Sequence, residues 1–272
     1  MAVLLVAGVA AAILWTEPRG KPDYPRIEVK QYSDAAFVGL LRKYVDAHGR
    51  VDYASWKSSP EDLAALDAFV ILLANVSPEN RPELFSTGAS KRSYWITAYN
   101  ALVLRGVLDL WPLKSVRDVR LSLTSYVKPG KGFFYDRRVV VGGRVTSLYE
   151  IENDVLRKQI RDPRIHFAIN CASGSCPALR ATDWSDEELD RAAREFVNDP
   201  RNVRIEDGRV LLSKIFEWYK EDFLPGNAAG TILDYLVPLA AQPLAAGLKE
   251  ARDAGYPIRY LEYDWDLNER KP

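Results

Sequence analysis

His166, Cys171 and Cys176 fall within eleven residues of one another in a chain of 272 that holds two histidines and two cysteines in all. They lie on Arg164-Ile-His-Phe-Ala-Ile-Asn-Cys-Ala-Ser-Gly-Ser-Cys-Pro-Ala-Leu-Arg180, and no other stretch concentrates as much nucleophile, base, ligand and redox chemistry. Three chemistries suit these residue types. A cysteine thiolate in a polar Ser/Gly loop, with His166 as base and Asn100 or Glu152 orienting the imidazole, would serve acyl transfer or hydrolysis. Cys171 and Cys176 would instead exchange with thiols as a redox pair, although their spacing is wider than Cys-x-x-Cys. His166, two thiolates and Glu152 meet the ligand count for zinc, at a spacing that matches no finger or deaminase signature. Against all three stands a disulfide stapling the loop, with His166 satisfied by a buried hydrogen bond. Ser173 and Ser175 flank Gly174, but the Gly-x-Ser-x-Gly elbow is absent.

The elements around this segment decide what it can do. Ile165 to Asn170 reads as a short strand, in which His166, Ala168 and Asn170 point one way and Phe167, Ile169 and Cys171 the other. Five residues at strand spacing would separate His166 from Cys171 by roughly 16 Å, so a local dyad requires the chain to bend after Asn170, with Gly174 letting the loop fold back. Upstream, the spacing predicts helices over 33–47, 60–75 and 90–110, the last carrying Asn100 on its apolar stripe. The stretch 49–56 reads as extended, with His48 in the turn before it. Phe133 to Thr146 forms a hairpin around Gly142-Gly143, and Ser147-Leu-Tyr-Glu150 is a capping box opening a helix that runs to about Gln159 and leaves Glu152 facing inward. Downstream come a helix over 187–198, a second hairpin around Asp207-Gly208, helices over 214–223, 228–240 and 243–254, and a closing strand from Pro257.

Thirty-seven basic residues balance thirty-seven acidic ones, which leaves no global field to draw the protein to nucleic acid. Residues 2–15 are an uninterrupted apolar run followed by a polar, proline-containing stretch. Fourteen residues are short of the ~20 needed to span a bilayer, so the run reads as an export signal or short membrane anchor. Two cysteines in an exported chain also invite a disulfide. A single methionine excludes a methionine-rich copper or recognition surface.

Five strings carry a family resemblance: Tyr94-Trp-Ile-Thr-Ala-Tyr-Asn-Ala101; Ser147-Leu-Tyr-Glu-Ile-Glu152 with Leu156-Arg157; His166-Phe-Ala-Ile-Asn-Cys-Ala-Ser-Gly-Ser-Cys-Pro177; Leu212-Ser-Lys-Ile-Phe-Glu-Trp-Tyr-Lys-Glu-Asp-Phe223; and Tyr263-Asp-Trp-Asp-Leu-Asn268. On these the chain resembles, over roughly residues 35 to 268, the bacterial and plant family catalogued as domain of unknown function 547. The resemblance implies export in many bacteria. Fusion of some plant members to a glutaredoxin-like domain favours thiol chemistry. A distant likeness to papain-like and transglutaminase-like cysteine enzymes is a further expectation. Those enzymes set the nucleophilic cysteine at the start of a helix before the histidine, whereas both cysteines here follow His166.

The expected fold is α+β, helices packed on a small antiparallel sheet in one domain over 24–272, preceded by the signal or anchor and its linker at 1–23. The expected site gathers His166, Cys171, Cys176, Glu152 and Asn100. Tyr99, Arg164, Ser173, Gly174, Ser175 and Arg180 line its mouth, and backbone N–H groups of the Gly174 loop hold an oxyanion. No metal or cofactor is assigned. The expected function is a thiol-dependent hydrolase or acyl transferase on a peptide or amide-like substrate. The alternatives are a non-catalytic envelope protein binding a ligand or partner, stapled by a disulfide, and a thiol–disulfide redox protein. The expected partner is a small molecule or peptide, not nucleic acid, with residues 2–15 alone touching a membrane and the domain facing the periplasm.

Overall fold

A computed structural model of the chain describes residues 24–224 and 230–271. The apolar run at 2–15 lies outside them, and no helix among the described residues is long and apolar enough to cross a membrane. Helix α1 spans Ala35–Tyr44, α2 Tyr53–Lys57, α3 Pro60–Asn75 and α4 Gly88–Leu110. The start of α3 follows the expected signals: Ser59 accepts from Asp62 N and Pro60 takes the first turn. Thr87 and Ser90 cap α4 reciprocally. Fourteen of the 23 residues of α4 are buried, so it is covered on nearly every side and forms the axis of the core. The stretch 49–56 is extended only around Val51, which bridges Val45 and Glu269. Asp52 then accepts from Ser55 N and turns the chain into α2.

Strands β1 (Arg138–Val141) and β2 (Arg144–Ser147) pair antiparallel around Gly142 and Gly143. Both glycines have positive φ, as a tight hairpin turn requires. Their amides donate to Leu73 O and Ala74 O, which docks the turn on the end of α3. Phe133 to Asp136, expected in the first arm of this hairpin, winds instead as a π-helix, Gly132–Asp136. A Cβ on Gly132 would sit 2.2 Å from Val119 O, so this approach needs glycine. Ser147 caps α5 (Leu148–Glu150), which continues into the π-wound turns Ile151–Ile160.

The expected strand at Ile165–Asn170 is not formed. Asp162 accepts from Arg164 N, Pro163 occupies the first turn, and Pro163–Phe167 is a 3-10 helix. A capping acid followed by proline is a helix-start signal, and it outweighs the β-branched and aromatic residues after it. The next backbone polar groups find a side chain rather than a strand. Asn100 Nδ2 donates to Ala168 O at 3.0 Å, and Asn170 N donates to Asn100 Oδ1 at 2.8 Å. The alternation of faces that set His166 against Cys171 therefore does not apply.

Helix α6 (Asp186–Asn198) leads to β3 (Val203–Glu206) and β4 (Arg209–Leu212), an antiparallel pair turned by Asp207 and Gly208 at positive φ. The helix expected over 214–223 breaks at Tyr219 into α7 (Lys214–Trp218) and α8 (Lys220–Phe223). Helices α9 (Ile232–Leu236) and α10 (Leu244–Asp253) follow, and β5 (Ile258–Tyr260) pairs with β4. That pairing is parallel, because helices intervene and carry the chain back to the same end of the sheet. The fold is α+β as expected, with one antiparallel and one mixed sheet. One hydrophobic cluster runs from Val29 to Leu267.

Asn100→Ala orphans a buried carbonyl at Ala168 and a buried amide at Asn170. The expected loss is about 2–5 kcal/mol, read as a lower urea midpoint with an unchanged slope. A loss below about 1 kcal/mol would mean that water or a neighbour takes over these bonds.

Candidate active site

Three parts of the chain meet at one carboxylate. Arg157, on the π-wound turns after α5, donates to Asp222 of α8 through Nε at 2.5 Å and Nη2 at 3.1 Å. His166 Nε2 lies 2.7 Å from the same Oδ2. Burial pushes the Asp222 carboxyl up, but the bonds and charges of His166 and Arg157 outweigh it and hold the group down at about 2. An ionised carboxylate only accepts, so Nε2 carries a hydrogen and donates it to Asp222. His166 is 2% exposed, and Nδ1 has no hydrogen-bond partner among the described residues.

Tyr219 lies three residues before Asp222. Its ring stacks on the imidazole with centroids 3.9 Å apart, and its hydroxyl donates to Glu152 Oε1 at 2.5 Å. Tyr99 of α4 donates to Oε2 of the same carboxylate at 3.1 Å. Burial first, and the Glu152 charge second, push both phenols well above the ordinary tyrosine value, so both remain neutral donors. Arg157, the cation facing this pair, is committed to Asp222 and, through Nη1, to Asn153 Oδ1.

Tyr99, Glu152, His166 and Tyr219 border a cavity of about 290 Å³ whose wall includes eight aromatic residues. Tyr135 and Tyr149 stack at 4.0 Å on one side, and Trp218, Tyr263 and Trp265 cluster on another. Cys171 and Cys176 are part of the wall and are joined as a disulfide, with Cα atoms 6.2 Å apart. Neither sulfur bonds to His166. Cys176 Sγ accepts instead from Cys171 N at 2.9 Å and from Tyr263 Oη at 3.2 Å, while the single hydroxyl hydrogen of Ser173 is within reach of Cys171 Sγ at 3.0 Å and Tyr263 Oη at 3.2 Å. The expected thiol–imidazole dyad is therefore not assembled in this state. The thiolates of the zinc alternative are consumed by each other, and no group of three or more His, Cys, Asp or Glu among the described residues is placed to hold a metal.

The expected oxyanion donors are also spent. Gly174 N donates to Asp266 O at 2.8 Å, Ser175 N to Asp264 O at 3.1 Å and Cys176 N to Ser173 O at 3.1 Å. Gly174 faces the carboxylate of exposed Asp264, which a Cβ at this position would push aside. Ser173 is buried behind the disulfide. Gly174, Ser175, Arg180 and His48 line a separate polar cavity of about 410 Å³ on the other side of the loop, with Cys176 in both walls. Arg180 pairs with Glu195, and Arg164 is held by Asp162, Asp186 and Asp190. Thus Tyr99, Glu152, His166, Cys171 and Cys176 share one cavity. Asn100 holds the loop from behind, and the remaining expected mouth residues lie elsewhere.

Sequence reasoning missed Asp222, Tyr219, Trp218 and Tyr263 as site residues and quoted Arg157 only as part of a motif. The signal was there: Tyr219 and Asp222 sit three apart, on one helical face, in the stretch Trp218-Tyr-Lys-Glu-Asp-Phe223.

The free aspartate value of 3.8 falls to about 2 for Asp222 in the folded state. Its contribution to stability is therefore present above pH 4 and is lost as the pH drops toward 2. Asp222→Asn is expected to lower stability near neutrality by roughly 1.5–3 kcal/mol and to flatten the decline in urea midpoint across that acid window. Parallel acid profiles for variant and wild type would remove Asp222 as the group responsible.

The family model described as "Protein of unknown function, DUF547" matches residues 85–197. No curated protein and no solved structure matches the chain, and the distant likeness to papain-like and transglutaminase-like enzymes gains no support from either comparison.

Proposed function

We propose, for a chain whose residues 85–197 match the model of this family of unassigned function, that the aromatic cavity binds a small ligand bearing an organic cation, with Glu152 as its charge partner. The observation that carries this reading is the state of the polar groups in the wall. Glu152 takes one tyrosine hydroxyl on each oxygen. Asn153 accepts from Arg157 and donates to Tyr149 O. His166 Nε2 is held by Asp222, and Cys176 Sγ accepts from Cys171 N and Tyr263 Oη. A sugar or peptide amide needs free donors and acceptors, and few are left. What the wall does offer is the Glu152 carboxylate, which no salt bridge neutralises among the described residues, and π faces on several sides. These suit an alkylated ammonium group, which brings charge without demanding directed hydrogen bonds.

Quenching of the wall tryptophans Trp218 and Trp265 reads the binding. Choline and tetramethylammonium are expected to quench saturably, and 3,3-dimethylbutan-1-ol, the neutral isostere of choline, is not. Glu152→Gln is expected to weaken choline binding at least about tenfold, or ~1.4 kcal/mol. Equal binding of the isostere, or an unchanged constant in E152Q, would refute the cation reading.

A second reading, the thiol-dependent hydrolase or acyl transferase, is favoured by one arrangement. Cys171, Cys176 and His166 share the cavity, and Nδ1 of His166 is buried with no partner among the described residues. A dithiol reductant would take up the disulfide's oxidising equivalents and leave two thiols in the wall, one of them a nucleophile for which His166 is the base. Iodoacetamide is then expected to label nothing before reduction and one cysteine preferentially afterwards, with His166→Ala shifting the pH dependence of labelling upward by about 1 unit or more. Identical pH profiles in wild type and H166A would end this reading.

A further inference from the structure

We infer that the segment 114–131 is a docking tip for an anionic lipid surface. Three large apolar side chains stand out from one short element: Leu123 is 72% exposed, Tyr126 54% and Val127 82%. They come from the 3-10 turn Leu123–Tyr126 and the residue after it. The turn is braced from within. Ser125 Oγ accepts from Leu121 N and Ser122 N and donates to Ser122 O, while Asp136 takes the Ser122 hydroxyl and the Lys131 ammonium. The exposed side chains therefore belong to an ordered projection.

The charge around it points to the occupant. The whole chain has equal numbers of acidic and basic residues, yet 114–131 carries Lys114, Arg117, Arg120, Lys128 and Lys131 against the single acid Asp118, and of these cations Lys131 alone is paired with a carboxylate among the described residues, that of Asp136. Two of these cations sit at the tip itself: the Arg120 guanidinium lies over the Tyr126 ring at 6.0 Å, and Lys128 follows Val127 and lies over Tyr135 at 4.5 Å. Arg117 lies over Trp265 at 4.9 Å, at the foot of the projection. An apolar point with a tyrosine and a collar of lysine and arginine matches a bilayer interface. Leu123 and Val127 enter the acyl boundary, Tyr126 rests among headgroups, and the cations meet their phosphates. A convex tip also needs no matching pocket in lipid, whereas a protein partner would have to supply one. This inference does not rest on the ligand proposed for the cavity, and it places a membrane contact in the folded domain, in addition to that expected of residues 2–15.

The experiment uses the full chain with Val127→Cys labelled by an environment-sensitive fluorophore under non-reducing conditions, so that the native disulfide stays closed. The readout is local to the tip, whatever residues 2–15 do. With phosphatidylcholine–phosphatidylglycerol vesicles the emission is expected to shift to the blue and rise at least about threefold, to be quenched by lipids brominated at shallow depth, and to fall back in high salt. Pure phosphatidylcholine vesicles should give a markedly smaller change, and Arg120→Glu with Lys128→Glu should abolish the anionic preference. A probe that stays in water while the chain pellets with anionic vesicles would overturn the inference. So would a blue shift that grows with protein concentration in the absence of lipid, which would assign the tip to a second copy of the chain.

Discussion

The shape of the cavity depends on a carboxylate drawn in from late in the sequence. Asp222 receives two hydrogen bonds from Arg157 and one from His166, so it ties α8 to the π-wound turns and to the 3-10 helix that carries the histidine. Tyr219 is thereby laid face-on against the imidazole and delivers its hydroxyl to Glu152, whose other oxygen is taken by Tyr99 on the central helix. The sequence of contacts Arg157, Asp222, His166, Tyr219, Glu152, Tyr99 uses both hydrogen-bonding and stacking, and each member fixes the rotamer of the next. With His166 Nδ1 as the one member atom left without a partner among the described residues, these bonds make the network rigid in a low-dielectric setting. It also uses most of the directional capacity of the groups it orders, which is the ground for the proposal that aromatic faces and charge do the recognising.

The cysteine loop is held by a different set of bonds, and this bears on what the disulfide does. Asn170 reaches Pro177 O through Nδ2 and accepts from Ala172 N and Asn268 Nδ2, while Asn268 in turn accepts from Tyr53. Gly174 and Ser175 donate to the backbone of the C-terminal segment. The loop is thus fixed at both ends by amides before its sulfurs are considered. Closing so short a ring adds about 2 kcal/mol in a chain-entropy account. The position of Cys176 between two cavities means that the pair is also a partition, with aromatic rings on one side and His48, Arg180 and Glu195 on the other.

Much of this was legible in the sequence where the signal was local. The helix from Pro60 to Asn75, both glycine-bearing hairpin turns and the Ser147 cap follow from proline, glycine and hydroxyl side chains acting on their own backbone. An amide on an apolar stripe must be bonded if buried, and Asn100 is, although its partners are the loop backbone and not the imidazole. The readings that failed were tertiary. Ile165 to Asn170 has strand composition, but its amide and carbonyl groups are taken by Asn100, some seventy residues away. His166 found its acid in Asp222 rather than in Asn100 or Glu152, because its own turn points Nε2 toward α8. Spacing along one segment could not show that the partner would come from 56 residues downstream.

The exposed tip and the cavity are not independent features of the surface, since they meet in the short π-helix Gly132–Asp136. Asp136 braces the tip through Ser122 and Lys131, whereas Phe134 and Tyr135 of the same element face the cavity. Tyr135 is stacked on Tyr149 from within and covered by the Lys128 ammonium from outside. Gly132 fixes the element against Val119 O with no room for a side chain. An element held so closely at its base moves as a unit if it moves at all. A contact that pulls Lys128 toward an external phosphate therefore withdraws a cation from Tyr135. Its other face stays stacked on Tyr149, so on the proposed readings a membrane contact would reach the cavity wall through the Tyr135–Tyr149 pair.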